Sequence, residues 1–226
     1  ARMGLMAVTV VIVIVGGRII PAFTHNWLHL KGAGRPMPRR IKWLDQASIL
    51  SLVAFAVMQA LTVPRILAAC VAFLAFAFNA ARLFYWRGWE TRREPIVFIL
   101  HLGYAWIVAG FLLSAASGLT GTVPVSLASH AFGTGAAGTM ILAVMTRASL
   151  GHTGRPLVAP RAIVWAYFFV SLAALLRTAG PLLAPDTSAL LLIGAAVSWI
   201  AAFALFTIVY APILTTNRVH MKMSHE

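Results

Sequence analysis

Two histidines stand inside long apolar runs. His101 lies in Leu100-His101-Leu102-Gly103-Tyr104, and His130 in Ser129-His130-Ala131-Phe132-Gly133. An ionisable ring in hydrocarbon is costly, so each marks a candidate site. A neutral imidazole can offer one nitrogen to iron or another transition metal while the other nitrogen holds a hydrogen bond. One turn after His130 come Gly133 and Thr134, then Ala137 and Gly138. Small residues beside a histidine admit a flat, bulky ligand, or equally another helix. Two readings therefore stand for both histidines: an axial ligand of a haem or metal, or a hydrogen-bonded interhelical side chain. A third histidine, His152, falls in Leu150-Gly151-His152-Thr153-Gly154-Arg155-Pro156, where the glycines and proline mark turns. A loop there would bring His152 together with Arg155, whose guanidinium suits a haem propionate or another anion.

The remaining candidates are weaker. Gly16-Gly17-Arg18-Ile19-Ile20-Pro21 puts two glycines, an arginine and a proline at the end of an apolar run. The expectation is a helix that stops there. Its broken end either lines a polar site near Arg18 or leaves Arg18 to snorkel to the interface. His25 and His29 flank Trp27 at a helical spacing of four and read as interfacial residues. Met140 and Met145 carry soft sulfur, but on an apolar face they read as core. Cys70 is alone, which excludes an intrachain disulfide or a cysteine-based metal framework. His101 lies roughly 10 Å from one membrane edge and His130 roughly 5 Å from the other, at 1.5 Å per residue. On antiparallel helices their depths differ by about 15 Å, against about 4 Å between the two axial nitrogens of one haem. The two are thus expected to serve separate sites.

The elements that must position these residues are transmembrane helices. Of the 226 residues, 61% are apolar and 10% charged, against about 45–50% and about 25% in soluble domains. Mean hydropathy is +0.88. Apolar runs long enough to cross about 30 Å of hydrocarbon fall near residues 3–23, 47–63, 66–86, 95–116, 125–145, 162–183 and 189–214. They are too long and too uniform for barrel strands, which alternate over about 10 residues. The fold class is an all-α transmembrane bundle of about seven spans in a single domain, with Pro64-Arg65 closing a tight hairpin between the second and third. Residues 1–17 carry an arginine and an apolar stretch, as a signal peptide does, but no small-residue cleavage site follows, so they read as part of a span.

The net charge of +13 comes from 18 Lys and Arg against five Asp and Glu. The basic residues fall in short loops between apolar runs, which excludes a nucleic-acid partner and points to membrane orientation. All except Arg2, Arg65 and Arg177 belong to the first, third and fifth loops or to the C-terminal tail. That asymmetry puts the N-terminus outside and the C-terminus in the cytoplasm. Trp27, Trp43, Trp86, Trp89 and Tyr210 sit near span ends as interfacial anchors. No Asp, Glu or Lys falls in mid-span, so the two histidines read as the only ionisable side chains there.

Three stretches resemble signatures of the NnrS family: Gly17 to Asn26, Leu100 to Trp106, and above all His130 to Pro156 with Gly135, Gly138-Thr139-Met140, Met145-Thr146-Arg147 and Leu150 to Pro156. The resemblance implies a haem- and copper-containing protein of the bacterial inner membrane, tied to nitric oxide metabolism and protection from nitrosative stress. It marks His101, His130, His152, Arg18 and Arg155 as motif positions for cofactor or metal binding, without assigning which binds what. It further implies nitric oxide or another small diatomic as ligand. Family members are usually longer, so the chain corresponds to their C-terminal part or to a short member, and a missing N-terminal half or another membrane subunit is an implied partner. Other classes fit less well. No adjacent His-His pair exists for an oxidase or reductase core. No lysine lies within a span for a retinal Schiff base. A transporter or permease without redox cofactor would use the glycine-interrupted spans as its path, and a non-catalytic membrane subunit would leave the histidines as packing residues.

Overall fold

The computed structural model describes residues 2–32, 36–61, 63–183 and 188–217; Arg35, Arg218, His220, Lys222 and His225 lie outside them. Among the described residues there is no strand. Seven helices of the described residues are long and apolar enough to span a membrane. The chain builds α1 (Arg2–Leu30), α2 (Lys42–Ala60), α3 (Arg65–Tyr85), α4 (Pro95–Thr120), α5 (Val125–His130), a π-helical segment (Ala131–Gly138), α6 (Thr139–His152), α7 (Arg161–Leu183) and α8 (Ser188–Thr215). A 3₁₀ turn, Gly88–Thr91, separates α3 from α4. The segment from α5 to α6 forms one continuous fifth span.

Burial is inverted relative to a soluble protein. Ile66, Leu190, Ile200 and Ile208 are 67–70% exposed, while Thr9, Ser48, Asn79, Arg82, His101, Thr139 and Thr146 are buried. Lipid is as apolar as leucine, so outward apolar surface carries no penalty and polar groups must be satisfied inside. The fourth span is central, packing on α1, α3, the 3₁₀ turn and the whole fifth span; α8 packs chiefly on α7, with a smaller contact to α6 and Trp199 against Gly138 of the π segment.

Two helix ends differ from expectation. The first helix does not stop at Gly16-Gly17; it continues through Arg18 and Pro21 to Leu30. In hydrocarbon, freed backbone groups have no water to turn to, so a continuous helix is favoured even through glycine and proline. Likewise α6 extends to His152, which places that histidine on a helix end and not in a loop. The other boundaries follow local chemistry. Pro95 occupies the first turn of α4, where its missing N–H costs nothing. Gly121 ends it at φ +72°, its N–H donating to the Ser117 carbonyl. Arg87 enters the 3₁₀ turn at φ +57°, a strained conformation for a residue with a Cβ.

Candidate functional site

The polar centre of the bundle is built on one face of α4. Glu94, His101 and Tyr104 are seven and three residues apart, so they stack along that face. The first helix runs beside it and supplies a partner to Glu94 and to His101. Near its C-terminal end, the Trp27 indole N–H donates to Glu94 Oε2 at 3.0 Å. One turn deeper, Thr24 Oγ1 lies 2.8 Å from His101 Nε2. The Thr24 hydroxyl donates to the Ile20 carbonyl at 2.9 Å, so its oxygen accepts from His101 Nε2–H. That fixes the tautomer and leaves His101 Nδ1 a buried lone pair with no partner among the described residues. Gly88 presses on the same ring: a Cβ there would meet Nδ1 at 2.6 Å.

Deeper still lies an ion pair that sequence reasoning missed. Arg82, counted among loop residues, belongs to the last turn of α3 and is 3% exposed. Its Nε donates to Asp45 Oδ1 at 2.8 Å, and its Nη1 donates to the Tyr104 hydroxyl at 2.7 Å. Tyr104 in turn donates to Asn79 Oδ1, whose amide donates to the Ala75 carbonyl at 2.8 Å. The guanidinium sits 5.0 Å from the Trp86 ring. It also fills the notch made by Gly17, where a Cβ would come within 1.9 Å of Nη2. Four helices thus meet at one arginine: α1 through Gly17, α2 through Asp45, α3 through Asn79 and Arg82, and α4 through Tyr104. The available signal was Asn79-x-x-Arg82 in an otherwise apolar run, together with Asp45, the one acid preceding the second span.

The small residues after His130 receive aromatic rings of the chain itself. A Cβ on Gly135 would strike the Trp106 ring at 2.6 Å, and one on Gly138 the Trp199 ring at 2.3 Å. Phe132 packs into Gly110 and Met140 into Gly103. The eight-residue π segment widens the helix here, a feature frequent at functional sites.

The five candidate residues are dispersed. His101 is buried as described. His130 is half-buried at the end of α5, with Arg177 near enough for its charge to act on the ring. His152 is exposed at the end of α6, and Arg18 is exposed on α1. Arg155 tethers the end of α8, its Nη2 donating to Thr216 Oγ1 at 2.9 Å. No hydrogen bond joins any two of them among the described residues. Nor do these hold a group of three or more His, Cys, Asp or Glu close enough for a metal ion. His25 and His29 are exposed, their rings 6.2 Å apart. Met140 is core, and Met145 faces outward.

The family model described as NnrS protein matches residues 1–218. The chain belongs to the NnrS family. No curated protein and no solved structure matches it. NnrS membership and seven spanning helices make this a multi-pass membrane protein, consistent with a role connected to nitric oxide.

Proposed function

We propose that this protein acts in nitric oxide metabolism or protection from nitrosative stress, as a haem-binding protein of the bacterial inner membrane with its C-terminus in the cytoplasm. The observation that carries the reading is the family match over residues 1–218. The donor set narrows where a haem would attach. His101 does not fit an axial ligand in this packing: one ring nitrogen is bonded to Thr24 and the other is closed off by Gly88. His130 fits. Its ring is half-exposed, makes no hydrogen bond among the described residues, and has Arg177 close by as a counter-charge for carboxylates. A haem bound there would supply an iron able to take a diatomic ligand. The protein's own part is to offer one imidazole and one cation at the end of the bundle. The cavity that Arg177 lines with Thr134 and Trp199 is about 180 Å³, below the roughly 300–1,000 Å³ of enclosed cofactor pockets. A partner chain that completes the enclosure is therefore part of the proposal. Copper rests on the family alone.

The test is the visible spectrum and metal content of the detergent-purified protein, before and after nitric oxide. A Soret band that shifts with nitric oxide, lost in His130→Ala and kept in His101→Gln, is expected. A band that survives His130→Ala removes that residue as ligand. A colourless, metal-free protein replaces the haem reading with a permease or a non-catalytic subunit.

A further inference from the structure

We infer that the cleft between the end of α1 and the start of α4 binds the phosphate headgroup of an anionic phospholipid. The cleft holds about 470 Å³ and is lined by Trp27, Lys31, Trp89, Arg92 and Arg93 together with Glu90 and Glu94. The volume falls in the roughly 300–1,000 Å³ range of small-ligand sites. Among the described residues, none of the three cations lies within 4.0 Å of a carboxylate; the ion pairs formed are Arg40–Asp45, Arg82–Asp45 and Arg87–Glu90. The two acids are already engaged. Glu94 accepts the Trp27 N–H, and Glu90 lies 3.6 Å from Arg87. Lys31 Nζ is held 5.7 Å above the Trp27 ring, so that aromatic wall orders the cation beside it.

One further feature selects a lipid phosphate. Trp27 and Trp89 belong at headgroup level, where a basic pocket between helices recognises anionic headgroups. The inference is independent of haem and of nitric oxide.

Native mass spectrometry of the full chain in detergent tests it, with phosphatidylglycerol and phosphatidylcholine as separate probes. Wild type is expected to retain phosphatidylglycerol over phosphatidylcholine. Arg92→Gln/Arg93→Gln is expected to weaken phosphatidylglycerol retention about thirty-fold, since each cation near an anionic surface is worth about 1 kcal/mol and about 1.4 kcal/mol is tenfold. Arg161→Gln, an exposed cation outside the cleft, is expected to leave retention unchanged. Circular dichroism checks each variant's helix content, and Lys31→Gln serves if the double variant unfolds. Unchanged retention in the cleft variants overturns the proposal, as does equal loss in Arg161→Gln. Inorganic phosphate retained in the absence of lipid, with phosphatidylglycerol held no better than phosphatidylcholine, overturns it too and reassigns the cleft to free phosphate.

Discussion

Asp45→Leu isolates the buried ion pair. Arg82 is 3% exposed, so water cannot replace a deleted carboxylate. Breaking a buried pair by removing one partner costs about 3–5 kcal/mol. Asp45 is itself 15% exposed, which places the expected loss near the lower bound, about 3 kcal/mol. Arg40 adds little, since its side chain is 52% exposed and such pairs contribute about 0–1 kcal/mol. The double variant Asp45→Leu/Arg82→Met removes both charges and replaces them with apolar groups of similar size. Tyr104 keeps its own donation to Asn79, so no buried donor is stranded. The double variant is expected to recover most of that loss, about 2–3 kcal/mol relative to Asp45→Leu. The assay is SDS titration of the purified protein in mixed micelles, followed by circular dichroism. A loss below about 1 kcal/mol for Asp45→Leu would mean that Arg82 is hydrated and the seam is not a buried network. A double variant as unstable as the single one would mean that the cost is packing and not uncompensated charge.

Three further outcomes follow from the same contacts. Gly17→Ala drives a methyl into the Arg82 guanidinium and should cost about 1–3 kcal/mol in the same titration; an equal cost in an Arg82→Ala background would refute the clash. Gly138→Ala meets the Trp199 ring and should lose a similar amount, restored by Trp199→Leu; failure of that rescue would point to the π segment's backbone instead. A C-terminal reporter that is active only in the periplasm should stay silent, and activity there would overturn the orientation read from loop charge.

Hydropathy summed over about 20 residues made the seven spans legible, because membrane insertion is itself such a sum. The Pro64 hairpin was legible for the same local reason: proline's ring suits the turn between Ala60 and Arg65. What sequence did not reveal were choices made by distant partners. An arginine near a span end reads as a snorkelling residue, and Arg18 and Arg82 look alike by that criterion. Asp45, 37 residues away, and Tyr104 turn Arg82 inward. The small residues after His130 fitted a flat ligand or a helix equally. Trp106 and Trp199, from α4 and α8, decide that packing.

The central helix ties the two halves of the molecule together. One face of α4 carries Glu94, His101 and Tyr104 against α1 and α3, and another carries Gly103 and Gly110 against Met140 and Phe132 of the fifth span. The ion pair at Arg82 and the π segment beside His130 therefore hold opposite sides of one rigid element. If His130 binds a haem, relaxing the Arg82 side with Asp45→Leu would shift the Soret band only by moving α4 against Phe132. The same shift in Phe132→Leu, with the ion pair intact, would identify α4 as the coupling element. An unshifted band in both would leave the two halves energetically separate.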